Sequence, residues 1–413
     1  MPLPLTRGEC YGHGAVSAES EPILASRAAR VTMVMSALFG TTGVILVFLP
    51  RWLEVERALT GAEIGAVLSL AQFARIVTGP AIAYWADGAN DRGAPLKIVA
   101  VAALLSYAAF FFLAQGFWQL LAFGFVALSL TQALNPLIEA ATLRATAQGK
   151  LNYGVARGIG SAAFIVANVA GGALISRFGL DAVVVWVVCG LALTAAASWL
   201  GLKRDAPPAR QSRAARTGAM TDLLRNRRFL VLIFACGLIQ SAHGFYYGFS
   251  TIVWRGQGLS AEMVGLLWAF GVAIEIGFLF SLPAVERRVS PEALILMGAA
   301  GAVARWIAMG FAPLGFVLWP LQALHALSFA AAHVGAMRLI HREASEHSAT
   351  MAQTLYSALS AGVLMGCSTL LSGYLYDTVG ARGYWSMAIM AAAGGGLAIL
   401  LLQPKLRVSA TSR

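Results

Sequence analysis

Five charged side chains, Arg75, Glu139, Arg157, Glu275 and Arg305, stand within or at the ends of stretches otherwise almost free of charge. His325 and His333 lie in another such stretch, L-Q-A-L-H-A-L-S-F-A-A-A-H-V-G-A-M-R (321–338), which closes on Arg338. Gln240, His243, Tyr246 and Tyr247 crowd a third. Imidazole is the side chain suited to exchanging protons near neutral pH, and guanidinium holds a carboxylate through charge-assisted hydrogen bonds. The chemistry on offer is therefore proton transfer and anion binding. Metal chemistry is disfavoured, because His325 and His333 are eight residues apart, about 12 Å along a helix. The later H-R-E-A-S-E-H misses the metalloprotease H-x-x-E-H spacing by one residue. No phosphate-binding loop, nucleotide motif or serine-centred elbow is present, so neither a metal nor a cofactor is expected, and no enzyme activity.

The elements that must position these groups are set by composition. Of 413 residues, 58% are hydrophobic and only 12% charged, against about a quarter charged in a soluble domain. About 20 apolar residues cross the hydrocarbon of a bilayer as a helix, and helices satisfy their own backbone groups there. Twelve spans are predicted, near 31–49, 64–84, 96–115, 119–141, 157–176 and 182–200, then 229–251, 264–284, 292–312, 316–337, 352–373 and 384–402. The fold class is an all-α polytopic membrane protein. Its expected domains are a disordered tail (1–30), a six-helix bundle (31–200), a basic linker (201–228), a second six-helix bundle (229–402) and a tail (403–413). No apolar signal core is evident in residues 1–30. Cys10, Cys189, Cys236 and Cys367 show no paired spacing and read as free thiols.

The net charge of +11 does not point to nucleic acid, because it is distributed as a topology signal. With an even number of spans, 22 of the 30 Lys and Arg fall on the side of the termini and five on the other. The positive-inside rule then places both termini in the cytoplasm and the chain in the plasma (inner) membrane. The loop K-R-D-A-P-P-A-R-Q-S-R-A-A-R-T-G (203–218) supplies much of the bias; it also suits anionic lipid or a soluble partner.

That loop separates two related halves. Leu59-Thr60…Ile64-Gly65 and Leu259-Ser260…Val264-Gly265 open spans 2 and 8 at a displacement of 200. G-A-L-I-S-R-F-G (172–179) and G-Y-L-Y-D-T-V-G (373–380) close spans 5 and 11 at a displacement of 201. Repeats of this kind build secondary transporters, with the substrate near the midplane between them. Pro80, Pro136 and Pro283 either ease rocking of the halves or are tolerated kinks.

Charge within a span is costly unless paired or wetted, so each instance is a functional candidate. Glu275 sits mid-span with no cation near it in sequence, and Arg75 occupies the corresponding place in the other half. Arg75 also reads as a counter-charge for an acid on a neighbour. Glu139 and Arg157 form a structural pair, snorkel, or serve the site. Gln240, His243 and Tyr247 share one helix face, which lines a cavity or bonds a neighbouring helix. His325 belongs to a proton or substrate relay, or is a satisfied membrane histidine.

The chain resembles the major facilitator superfamily over 31–402, most of all the phenylpropionate permease branch of proton symporters, with lactose permease more distant. The likeness is carried by F-L-P-R-W-L (48–53), Y-G-V-A-R-G-I-G-S (153–161), Q-S-A-H-G-F-Y-Y-G-F-S (240–250) and L-H-A-L-S-F-A-A-A-H-V-G-A-M-R (324–338). The signature after span 2 remains as A-Y-W-A-D (83–87), with Ala83 for the usual glycine. The resemblance implies that Glu139 and Arg157 match an acid–arginine pair at the sugar site, and that Glu275 matches an essential carboxylate. It implies that Arg305 and His325 belong to a proton-coupling network, and that Arg75 and Asp87 act in gating. Ser328 stands where that network has a carboxylate, so Glu275 or His325 must carry the proton. With Arg157, Arg305 and His243 for a carboxylate, and Tyr246, Tyr247, Trp268 and Trp306 for a ring, an aromatic monocarboxylate such as 3-phenylpropionate is the expected solute.

The function expected is proton symport by alternating access, in a monomer whose partners are a small solute, protons and the bilayer. A sugar or nucleoside symporter is the alternative within transport, since substrate does not follow from fold. A non-transporting sensor or scaffold docking through the basic linker is the alternative of another class.

Overall fold

The computed structural model describes residues 27–149, 151–202, 220–344 and 348–403. The expected tail 403–413 beyond its first residue, most of the basic linker, Cys10 and most of the N-terminal tail lie outside the described residues. Helix α1 (Arg27–Glu56) begins four residues before the predicted span, inside the stretch read as a tail. It is followed by α2 (Gly61–Gly88), α3 (Ala94–Phe112), α4 (Gly116–Ala147), α5 (Tyr153–Phe178) and α6 (Asp181–Gly201). The second half holds α7 (Arg227–Gly256), α8 (Ala261–Glu286), α9 (Pro291–Gly310), α10 (Gly315–Glu343), α11 over 349–379 and α12 (Tyr384–Leu400).

By length and apolarity there are 11 candidate spans among the described residues, the last running for 50 residues from Met351 to Leu400. As one helix that run would extend about 75 Å, more than twice the hydrocarbon core. The chain instead turns back at Gly380, whose φ of +59° favours glycine. The run is α11 and α12, and the twelve crossings stand.

Three spans depart from a plain α-helix. Helix α7 breaks at Ala242 and His243 into Arg227–Ser241 and Gly244–Gly256. Helix α10 carries a π-helical turn over Ala326–Ala331, and α11 another over Ala358–Leu364. Such turns leave no trace in hydrophobic periodicity and concentrate at functional sites. The three prolines stay inside α2, α4 and α8, which continue past them.

The internal repeat has a structural meaning that the sequence alone does not show. Thr60 and Ser260 cap α2 and α8 with the same backbone geometry, φ −68° in both. The glycines behind those caps then cross the ends of α5 and α11 from the opposite half. A Cβ on Gly65 would lie 3.0 Å from the Cα of Gly373, and one on Gly172 would lie 2.5 Å from the carbonyl oxygen of Ala261. A Cβ on Gly265 would run into the carbonyl of Asn168. Helix α2 thus meets α11, and α8 meets α5, at glycine-lined crossings on the face opposite the termini. One closure is reinforced: Asp377 accepts hydrogen bonds from the backbone N–H of Gly61 at 2.7 Å and of Ala62 at 2.8 Å. Toward the termini, Val77 and Tyr84 of α2, Val155 and Ile159 of α5, and Leu279 and Phe280 of α8 are exposed.

Candidate functional site

The second half builds a polar cluster around Arg305 on α9, fully buried. Its Nη1 lies 3.0 Å from Nδ1 of His325 and donates to Ser328 Oγ at 3.3 Å, while Nη2 donates to Gln322 Oε1 at 2.8 Å. On the far side of the ring, His325 Nε2 stands 3.2 Å from Glu275 Oε2 on α8. A guanidinium only donates, so Nδ1 must accept and the proton of a neutral His325 sits on Nε2, facing Glu275. The order is guanidinium, imidazole, carboxylate, with the ring linking the opposite charges.

The cluster is walled by aromatic rings. Arg305 lies between Tyr246 at 4.5 Å and Trp306 at 4.6 Å, measured to the ring centroids. Stacking on aromatic faces lowers the cost of a buried guanidinium that touches no carboxylate. Tyr246 donates to the same Gln322 oxygen at 2.9 Å and stacks on Trp268 at 4.4 Å; Trp306 stacks on Tyr384 at 5.6 Å. This corrects one expectation: Tyr246 and Trp306 are occupied in clamping Arg305 and are not open to a solute ring. Trp268 is buried as well, and its indole N–H has no hydrogen-bond partner among the described residues; Tyr247 alone of the four is half-buried.

His243 also differs from expectation. It is fully buried at the break in α7, with Nε2 3.2 Å from Ser328 Oγ and Nδ1 3.0 Å from the carbonyl of Gln240. It cannot meet a solute carboxylate here; it braces Ser328 and stacks on Tyr247 at 5.6 Å. Gln240 donates to the carbonyl of Phe329 at 3.1 Å. Gln240 and His243 therefore bind α7 to the π-helical turn of α10, with Tyr247 packed on His243.

In the first half Arg157 Nη1 lies 3.2 Å from Glu139 Oε1, and Tyr153 donates to Glu139 Oε2 at 3.0 Å. The Arg157 side chain is 44% exposed and sits 4.6 Å over the ring of Phe39, so it is open to an anion. His333 is exposed on the face of α10 that carries His325 and Phe329. No contact joins Arg75 to Glu275, so the matching positions of the two halves do not become a pair; Arg75 is half-buried on α2. Asp87 falls in the last turn of α2, with its side chain outside the described residues.

The residues that sequence reasoning passed over are Gln322, Asp377 and Phe329. Gln322 is the one amide in the apolar run before His325, and Asp377 the one acid in G-Y-L-Y-D-T-V-G; both oddities were visible. A groove of about 770 Å³ between α1, α5 and α6, lined by Val166, Phe178, Val185 and Leu193, holds none of the expected binding residues.

The model of the MFS_1 like family matches residues 30–387. The probable 3-phenylpropionic acid transporter of Escherichia coli (strain K12) is 32% identical over 378 residues, covering 89% of this chain and 94% of that protein. The maltose permease of Geobacillus stearothermophilus is 27% identical, covering 90% and 93%. Among solved structures, the nucleoside transporter NupG superposes with a TM-score of 0.72 at 17% identity, over 92% of this chain and 98% of that one.

Proposed function

The chain belongs to the MFS_1 like family and is a transporter of the major facilitator type, and from that premise we propose that it imports an aromatic monocarboxylate with a proton. The observation that carries this reading is the Arg305–His325–Glu275 sequence of contacts. With Glu275 ionised, the cluster is neutral: one guanidinium, one carboxylate, one uncharged ring. Protonating Glu275 leaves the Arg305 charge without a counterpart, and in a site poor in water that field reaches several ångströms. An anion entering between the halves then restores neutrality. Proton and carboxylate favour each other's binding, which is the thermodynamic requirement of symport.

The carboxylate is taken by Arg157, freed from Glu139, as the exposed cation of the site. The ring lies toward Tyr247 and Trp268, whose unpartnered indole N–H is a donor in reserve. Glu139, Arg157, Tyr247 and Trp268 form the binding side, with Gln240 and His243 supporting it from α7, while Glu275, Arg305 and His325 form the coupling side. Alternating access follows from rocking about the α2–α11 and α5–α8 crossings, with Arg75 and Asp87 on the moving termini-side end of α2. The positive-inside asymmetry favours cytoplasmic termini in a plasma-membrane protein, read here as a monomer, and with that orientation the described state is closed outside.

The likeness to the 3-phenylpropionic acid transporter supports the solute class, and the likeness to a maltose permease supports a sugar as the second reading. The readings separate in a competition assay on proteoliposomes loaded by a proton gradient. Unlabelled aryl monocarboxylates are expected to block uptake of labelled 3-phenylpropionate, with maltose and uridine inert. Uptake of labelled maltose with no uptake of the acid would transfer the function to the sugar.

A further inference from the structure

On α10 three rings recur at intervals of four: His325, Phe329 and His333. They lie face to face, with centroids 5.2 Å apart at 9° for the first pair and 6.1 Å apart at 8° for the second. Residues four apart in an α-helix drift around its axis, since a turn takes 3.6 residues. The π-helical turn over Ala326–Ala331 widens the coil under Phe329 and cancels that drift. The two imidazoles stand on one face with a hydrocarbon ring between them.

Their surroundings are opposite. His325 is buried, with both ring nitrogens committed, one to Arg305 and one to Glu275. His333 is exposed, and its ring nitrogens have no hydrogen-bond partner among the described residues. Phe329 separates the buried imidazole from the exposed one. Glu275, on the neighbouring α8, reaches the His325 end of this stack, with Oε2 3.2 Å from His325 Nε2. The charged groups acting on His333 are Glu275 from α8 and Arg157 from α5.

We infer that His333 is the residue through which the coupled proton leaves Glu275 for the termini-side space, an assignment that rests on the symport reading above. The Glu275 carboxyl gives up its proton through an intervening water and becomes carboxylate. The unpartnered ring nitrogen of His333 accepts it, forming imidazolium. The imidazolium then releases a proton to cavity water, and the ring returns to its neutral form. Arg157 assists the last step, because a cation beside the imidazolium speeds its discharge. His325 is bypassed: a proton on its Nδ1 would require Arg305 to withdraw.

The test uses the full chain in proteoliposomes, with labelled 3-phenylpropionate as the probe and two assays on each protein, gradient-driven uptake and solute exchange at equal pH. In His333→Ala and in His333→Asn, gradient-driven uptake is expected to fall about a hundredfold further than exchange, the low end of what a positioned acid–base group contributes. Millimolar imidazole on the termini side should restore it in His333→Ala. Equal losses in both assays, or no loss in either, would overturn the assignment. Failure of the wild type to accumulate the probe would instead refute the symport reading beneath it.

Discussion

Nη1 of Arg305 lies 3.0 Å from Nδ1 of His325, and this contact fixes the tautomer of the ring between Arg305 and Glu275. The imidazole accepts from the guanidinium and donates to the carboxylate, so it transmits charge without holding the proton itself. Arg305→Lys keeps the charge but loses the fork that serves His325, Ser328 and Gln322 together. Gradient-driven uptake should fall by at least about tenfold, since one lost charge-assisted hydrogen bond is worth roughly 1.5–3 kcal/mol. Near-wild-type uptake by the lysine variant would show that the ring's tautomer is immaterial.

Gln322 supplies one oxygen to two donors, Arg305 Nη2 at 2.8 Å and Tyr246 OH at 2.9 Å. In Gln322→Leu both buried donors lose their acceptor, at about 1–3 kcal/mol for each unsatisfied group. The expected result is a lower thermal unfolding temperature in detergent, together with weakened uptake. An unchanged melting curve would mean that the two donors find other acceptors.

Asp377 holds α2 across the halves through the N–H groups of Gly61 and Ala62. A carboxylate at a helix N-terminus contributes about 1 kcal/mol, and removing its charge shifts a two-state equilibrium roughly fivefold. Asp377→Asn should therefore raise the population open on the face opposite the termini. Pulsed spin-label distances between the α1–α2 and α11–α12 connections would report it as growth of a longer component. A distribution identical to wild type would remove Asp377 from the gate.

Gly265 crosses α5 so closely that any Cβ meets the carbonyl of Asn168. Gly265→Val should keep that crossing from closing, at a cost of about 1–3 kcal/mol for overpacking a tight contact. Uptake is expected to drop to background while the protein still elutes as a single species. Full activity would contradict the assignment of the crossing as a closure point.

Much of this was legible in the sequence, and the remainder was hidden for identifiable reasons. The spans followed from hydropathy, and the repeat from Gly65/Gly265 and Gly172/Gly373. A displacement within one chain cannot say that the first glycine of one half meets the last of the other; that is a property of packing. Glu139 with Arg157, and Arg305 with His325, were named as pairs and do meet. Tyr246, Trp306 and His243 were assigned to the solute from their chemistry, whereas the structure spends them on Arg305 and Ser328. Side-chain type alone cannot separate a group that touches the solute from one that supports such a group. The π-helical turn that aligns His325, Phe329 and His333 was invisible because a single widened turn barely disturbs an apolar pattern.

The central claim is that Glu275 carries the proton whose arrival turns the cluster positive. The most direct measurement is uptake of labelled 3-phenylpropionate into proteoliposomes under an imposed inward proton gradient, comparing wild type with Glu275→Gln. The amide can still accept from His325 Nε2 but cannot exchange a proton, so the fold and the contact survive while coupling does not. The account predicts gradient-driven accumulation by wild type and none by the variant. Accumulation by Glu275→Gln equal to that of wild type would contradict it.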